Sequence, residues 1–302
     1  MKVLFIFLDG VGIGKKDNKN NPFFFTNLPK LKEIFDDQLP SKTSKIITNK
    51  TLSFIPTDPK LGIKGLPQSG TGQTSIFCGV NAPKIINKHF GPYPYTSLRP
   101  IINERNIFKI LKEKGKKVCF VNAYPRQFFE YIESGKTRFT VTTLSCLMSG
   151  IPLKTYYDLQ NKNALSADIT GEGWKRFGYN FEPITPFEAG KRLYKIAIKN
   201  DFTVYEYFYT DHAGHSKDKQ FAQNVLSKLD SMLAGLLKNY NKEKLFIIIS
   251  SDHGNLEDIS TKTHTLNKVP TILIGKTKNK YINKIENISN IYYIILDILN
   301  EK

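Results

Sequence analysis

Short apolar runs, rich in β-branched residues and bounded by turn formers, alternate along this chain with segments whose apolar positions recur at helical intervals. Residues 3–8 (VLFIFL) predict a buried strand ending at Asp9. NIFKILKEKG predicts a helix from Asn106, a good N-cap, to Gly115, a C-terminal stop. KVCFVNAYP predicts the next strand. In TPFEAGKRLYKIAIKN, Thr185 and Glu188 stand in capping-box spacing and Pro186 takes the first helical position. FTVYEYFY predicts a strand. Phe221, Val225, Leu229 and Leu236 then predict a long helix over about residues 219–238. KLFIIIS is the most continuous apolar run and predicts a central parallel strand, buried on both faces. VPTILIG predicts another strand, and NISNIYYIILDIL a closing helix.

This alternation predicts an α/β fold with a mostly parallel sheet flanked by helices. Residues 123–185 break the rhythm, being rich in Thr, Ser, Tyr and Gly. They predict a small inserted cap, leaving residues 1–122 and 186–302 as the core domain.

Composition narrows the class. The 302 residues are 40% hydrophobic and 12% aromatic, enough for a sizeable core, which argues against disorder. No apolar run approaches the ~20 residues that span a bilayer, so no membrane partner is expected. KVLFIFLDG is too short for a signal segment, and the expectation is a soluble, cytoplasmic protein. Cys78, Cys119 and Cys146 are few, odd in number and widely spaced, which predicts reduced thiols and no zinc finger. A net charge of +17 suggests an anionic partner. Arginine is confined to Arg99, Arg105, Arg126, Arg138, Arg176 and Arg192, while the other cations are lysines mixed with asparagine. That pattern resembles a coding bias and disfavours nucleic acid, whose readers cluster arginine.

The chemistry gathers at strand ends. Four of the five histidines fall in two short polar segments, YTDHAGHSKD and SSDHGNLEDISTKTHT. Ligands of open α/β sheets bind beyond the carboxyl ends of the strands. Asp9 ends the first strand, Asp211 and His215 follow FTVYEYFY, Asp252 and His253 follow KLFIIIS, and His264 precedes VPTILIG. Asp211 and His215 could share one face of a turn. Asp252 and His253 could reach one ion if the backbone turns sharply at Gly254. Aspartate oxygen with histidine nitrogen suits Zn²⁺ or Mn²⁺. Six or so ligands are too many for one open catalytic ion, and two ions about 3.5–4 Å apart fit better. DGVGIG has the spacing G-x-G-x-G, which is not the dinucleotide fingerprint. In GLPQSGTGQTSIFCGVNA, Ser69 and Thr71 are interleaved with Gly70 and Gly72 ahead of a helix-like stretch. A hydroxyl there could project from a helix N-terminus, where an anion is favoured.

Together, FLDGVGIG, LPQSGTGQT, DHAGH and SDHGNLED…HTLNKVP resemble the alkaline phosphatase superfamily, and within it the metalloenzyme branch of cofactor-independent phosphoglycerate mutase and phosphopentomutase. The resemblance covers residues 1–122 and from about 185 to the end. It implies an alkaline phosphatase-like fold and two divalent ions, Mn²⁺ or Zn²⁺. One would be held by Asp211, His215 and His264, and the other by Asp9, Asp252, His253 and the nucleophile oxygen. It makes Ser69 the nucleophile, with Thr71 as the rival. Gln73 stands where the family usually has histidine. His212 has no counterpart among the ligands, and His89 lies outside the pattern.

The implied activity is phosphoryl transfer from a small-molecule phosphoester, through a phosphoserine, to water or to another hydroxyl. A phosphate mono- or diester hydrolase is the first expectation. The alternatives are a phosphomutase of a small phosphorylated metabolite, and a non-catalytic metal- or nucleic-acid-binding protein on the same fold. Sulfate and phosphonate esters also stay open. The insertion is too short for a full phosphoglycerate mutase. Arg99, Arg126 and Lys64 are candidate substrate-binding cations, from their nearness to the motifs in sequence.

Overall fold

In the computed structural model, which describes residues 1–300, the apolar runs form seven strands. These are β1 (Lys2–Leu8), β2 (Ile47–Thr48), β3 (Ser53–Thr57), β4 (Val118–Phe120), β5 (Phe202–Tyr207), β6 (Leu245–Ser251) and β7 (Val269–Ile274). They build one sheet in the order β2-β3-β7-β6-β1-β5-β4. Strands β6, β1, β5 and β4 pair in parallel, whereas β7 runs antiparallel to both β6 and β3, and β2 to β3. By these pairings five of the seven strands point one way, and β7 and β2 reverse.

KLFIIIS supplies β6, the middle strand, buried at every position. It pairs in parallel with β1 but antiparallel with β7, and, being covered on both faces, it needs apolar side chains on both, which is why its sequence does not alternate. In β1 the faces separate: Leu4, Ile6 and Leu8 enter one core, and Val3, Phe5 and Phe7 the other. Helices Pro186–Ala197 and Lys219–Leu237 cover the first face with Leu193, Val225, Leu229 and Leu233. Helices Ser69–Cys78 and Asn290–Asn300 cover the second with Phe77, Ile291 and Ile295.

The expected N-caps form, but the capping box at Thr185 closes only by half, because the Glu188 carboxylate pairs with Lys191 at 2.8 Å. Thr185 Oγ1 accepts from the Glu188 N–H at 3.2 Å, and Asn106 Oδ1 accepts from the Lys109 N–H at 3.0 Å. Edge strand β2 and its neighbour β3 had no sequence signal. Pro56 interrupts SFIPT and lies opposite Pro270 in β7, so two residues without an N–H face each other there.

Residues 123–185 contain helices Arg126–Glu133, Val141–Ser149 and Tyr156–Gln160. Ala123, Leu159, Ala164, Trp174 and Phe181 form a small apolar cluster of their own. Val141, Leu144 and Cys146 join the second core, and Leu165 and Ile169 the first. Among the described residues no helix is long and apolar enough to cross a membrane.

An aromatic cluster anchors the helix that begins at Ser69. The Phe77 ring lies with its centroid 5.8 Å from those of Phe5, Phe7 and Phe108. Truncating a buried phenylalanine of this kind costs about 3–5 kcal/mol. The contact holds that helix against the sheet, and with it the position of the Ser69 backbone.

Candidate functional site

Parallel strands deliver their following loops to one sheet edge, and the polar clusters converge there. Asp9 follows β1, Asp252 and His253 follow β6, and helix Tyr209–Ser216 follows β5 with Asp211 and His215 one turn apart. His264 comes back from the β6–β7 loop.

Two groups of ligand atoms result. Asp9, Asp252 and His253 each offer one atom within 4.8 Å of the others, and so do Asp211, His253 and His264. In the first group, His253 Nε2 lies 3.3 Å from Asp9 Oδ1, 3.5 Å from Asp252 Oδ2 and 2.9 Å from Ser69 Oγ. In the second, Asp211 Oδ1 is 3.8 Å from His264 Nε2, and His215, outside the group, brings its Nε2 to 3.2 Å from Asp211 Oδ2. The His253 and His264 rings stack at 3.7 Å, so the two groups share a wall.

Tautomers are set from behind. His264 Nδ1 donates to the Pro67 carbonyl and His215 Nδ1 to the Lys262 carbonyl, each at 2.7 Å. A neutral imidazole whose Nδ1 carries the proton leaves an Nε2 lone pair, and in both residues that atom faces Asp211.

The electrostatics call for cations. Burial raises the pKa of Asp9, and the neighbouring Asp252 raises it further. Burial also raises Asp252. Burial alone would lower His253, but the carboxylates of Asp252 and Asp9 outweigh it and pull the ring up to about 10. Burial works against the Asp211 carboxylate too, yet the His215 hydrogen bond and the His253 charge hold its pKa below the usual carboxylate range. His264 is pushed down to about 4 by burial and then by His253. Asp9 Oδ1, Asp252 Oδ2 and His253 Nδ1 are buried without a hydrogen-bond partner. Crowded carboxylates with unpaired oxygens, beside imidazoles presenting Nε2, fit divalent metal ions.

Ser69 is the first residue of its helix, and its hydroxyl points at the first group. Thr71 is fully buried and its hydroxyl is occupied: it donates to the Gln68 carbonyl at 3.1 Å and accepts from the Phe90 N–H at 3.2 Å. Gln73 is buried on the same helix, with Oε1 unpartnered.

The other sequence candidates lie elsewhere. Arg99 donates to the Thr137 carbonyl, Arg126 pairs with Glu130 on an exposed helix turn, and Lys64 is exposed. None of the three pairs with a residue of the ligand groups. His212 is exposed beside the rings of Phe208 and Tyr209, and His89 Nε2 donates to the Ile63 carbonyl. A cavity of about 580 Å³ borders His264, and Lys15, Lys42, Asn20 and Asn267 are among its lining residues. Among the described residues, neither lysine has an ion-pair partner.

Three buried residues carried no sequence signal. Asn255 donates through Nδ2 to Asp211 Oδ1 at 2.6 Å. Glu257 gathers four donors from the surrounding loops. Glu206, near the end of β5, accepts from Thr142 Oγ1 at 2.7 Å, and burial pushes its carboxyl up to about 8. Gly254 also differs from expectation. It does not adopt a left-handed conformation, and it is needed for its small size instead, as Glu257 and Thr265 crowd it.

Comparison with known proteins bears on the family likeness and the fold. The sequence pattern of the Metalloenzyme superfamily matches residues 157–302, the part that carries Asp211, His215, Asp252, His253 and His264. The chain is 28% identical over 96 residues to 2,3-bisphosphoglycerate-independent phosphoglycerate mutase 1 of Methanocaldococcus jannaschii, covering 32% of this chain and 23% of that protein. It is 29% identical over 111 residues to the 2,3-bisphosphoglycerate-independent phosphoglycerate mutase of Ehrlichia ruminantium, covering 34% and 22%. The matched stretch is thus under a quarter of these relatives. The PH0037 protein of Pyrococcus horikoshii superimposes with a TM-score of 0.58 at 14% identity, over 100% of this chain and 98% of that one. Alkaline phosphatase of the Antarctic bacterium TAB5 superimposes with a TM-score of 0.55 at 14% identity, over 99% of both. At such identities the likeness establishes the fold, which is alkaline phosphatase-like.

Proposed function

We propose that this alkaline phosphatase-like chain is a two-metal phosphoryl-transfer enzyme, and that it hydrolyses a phosphate ester through a phosphoserine at Ser69. The observation that supports this most is the placement of the Ser69 hydroxyl, 2.9 Å from His253 Nε2 and at the edge of two ligand groups that share His253.

Asp211, His215 and His264 would hold one ion, and Asp9, Asp252, His253 and Ser69 Oγ the other. When bound, such ions supply positive charge for the phosphate oxygens and favour the serine alkoxide. The chain's own residues do the rest. The helix N-terminus at Ser69 favours an anion in front of it. Ser69 Oγ loses its proton and attacks phosphorus in line. The bond from phosphorus to the alcohol oxygen breaks, the alcohol leaves, and the phosphoryl group stays on Ser69. Water then attacks the phosphoserine, freeing inorganic phosphate and the hydroxyl. The cavity beside His264 is the place for the alcohol part of the substrate, where Lys15 and Lys42 offer unpaired charge.

A mutase is the second reading, favoured by the sequence similarity to phosphoglycerate mutases. It differs in the last step, in which the phosphoryl group returns to another hydroxyl of the substrate instead of to water.

The test is phosphate release from an aryl phosphate and an aryl phosphodiester, with Mn²⁺ or Zn²⁺ added, for wild type and Ser69→Ala. Metal-dependent release that Ser69→Ala abolishes supports the hydrolase. Equal release by the variant contradicts it. A metal-loaded wild type that releases nothing turns the reading to the mutase.

A further inference from the structure

We propose that Glu257 is the positioning residue that fixes the spacing of the two ligand groups, and that its charge, not just its shape, is required. The inference rests on the two-metal reading of the site but concerns a residue outside both groups.

The Glu257 side chain is buried at the meeting point of the loops that carry the ligands. Oε2 accepts from the Gly12 N–H at 2.9 Å, and Gly12 lies on the loop that leaves Asp9. The same oxygen accepts from the Asn255 N–H at 2.8 Å, and Asn255 lies just past His253. Oε1 accepts from the Thr265 hydroxyl, next to His264, and from Asn267 Nδ2 at 2.9 Å. Asn255 extends the link, since Nδ2 donates to the Asp211 carbonyl at 3.1 Å as well as to the Asp211 carboxylate. Through one carboxylate and one amide, every ligand-bearing segment after β1, β5 and β6 is tied to the others.

The glycines around it fit this role. A Cβ on Gly12 or on Gly254 would overlap the Glu257 carboxylate. The spacing of DGVGIG, which fails as a nucleotide fingerprint, thus has a packing reason at Gly12. No cation pairs with Glu257 among the described residues, so its charge faces neutral donors alone. A buried charge without a counter-ion is costly unless its hydrogen-bonding capacity is filled. Here four donors meet the roughly four lone-pair sites of a carboxylate. Glutamine is the poorer residue here. Its carbonyl oxygen could keep the Gly12 and Asn255 N–H groups, but its NH₂ would force the Thr265 hydroxyl to turn from donor to acceptor and the Asn267 amide to flip, and the charge that strengthens all four bonds would be lost.

A shift at this junction would move Asp9, His253 and His264 relative to one another. Outer partners of metal ligands typically account for 10–100-fold in metal affinity.

The experiment is Co²⁺ titration followed by visible absorption, whose d–d bands report coordination geometry, with thermal melts in chelator as the fold control. Glu257→Gln is the first variant. Gly12→Ala is the second, since it keeps the carboxylate but pushes against it. Wild type is expected to bind two Co²⁺ per chain. Both variants are expected to melt cooperatively, to bind at least one Co²⁺ about tenfold or more weakly, and to show shifted d–d bands. Should Glu257→Gln fail to fold, Gly12→Ala decides by the same criteria. Variants that lose only melting temperature, while affinity and bands stay as in wild type, would overturn the inference and leave the metal reading standing. A wild type that binds fewer than two Co²⁺ would overturn the metal reading itself, and the inference with it.

Discussion

His264 donates from Nδ1 to the carbonyl oxygen of Pro67 at 2.7 Å, and Pro67 stands two residues before Ser69. One imidazole therefore links a ligand group to the loop that leads into Ser69. His264→Ala should remove both functions: bound metal should fall from two ions per chain to one, and turnover should drop at least about 100-fold. Elemental analysis of the purified variant checks the first, and unchanged metal content would contradict it. Added Mn²⁺ or Zn²⁺ should also raise the wild-type melting temperature, because an ion that binds only the folded state stabilises it. Asp252→Ala should lose that response.

Ser69 and Thr71 are separable by their surroundings. Ser69→Ala should keep its fold while losing turnover by about a thousandfold or more. Thr71→Val leaves the Phe90 N–H without its partner, while the Gln68 carbonyl keeps the Gly72 N–H. It should cost about 1–3 kcal/mol of stability and keep most of its activity below its melting point. Denaturant melts and steady-state kinetics on the two variants check this. Lost turnover in a folded Thr71→Val with normal Ser69→Ala activity would reverse the assignment.

Glu206 gives a pH signature. Its carboxyl is raised from 4.5 to about 8 in the folded chain, chiefly by burial. An acid raised on folding keeps its proton in the folded state while the unfolded chain ionises. The associated stability is fully present below pH 4.5 and is lost as pH rises to about 8. At about 1.4 kcal/mol per pH unit, the loss is several kcal/mol. Glu206→Gln can still accept from Thr142 and does not ionise. In chelator it should be more stable than wild type at pH 9, with the gain shrinking toward pH 5. Parallel stability curves for the two proteins would contradict this.

Lys15 and Lys42 line the cavity beside His264. Lys15→Ala with Lys42→Ala should raise KM for phosphate esters whose alcohol fills the cavity, by roughly tenfold, at nearly constant kcat. Small aryl phosphates should be less affected. A uniform fall in kcat for every substrate would place the lysines outside the binding role.

Much of the framework was legible in the sequence. KLFIIIS marked β6 because a strand buried on both faces cannot alternate, and Asn106 and Thr185 marked helix starts because their side chains cap local N–H groups. Asp9, Asp211, His215, Asp252, His253 and His264 stood out as polar residues at the ends of apolar runs. Edge strand β2 and its neighbour β3 were hidden, since they are short and Pro56 removes a donor from β3. Glu257, Asn255 and Glu206 were hidden for another reason. Their roles come from contacts between loops far apart in the chain, such as Glu257 with Gly12, and no local pattern records those. Nearness in sequence suggested Arg99, Arg126 and Lys64 as substrate-binding cations, and the fold adds Lys15 and Lys42, which line the cavity by His264 and have no local signal.

The covalent step itself can be trapped. Wild-type protein loaded with Mn²⁺ or Zn²⁺ would be mixed with an aryl phosphate, quenched in acid, digested and mapped by mass spectrometry. A phosphoserine mechanism predicts a phosphoryl group on the peptide that contains Ser69, absent in Ser69→Ala and absent when metal is chelated. Turnover with the group on another residue, or metal-dependent turnover that persists in Ser69→Ala, would contradict it.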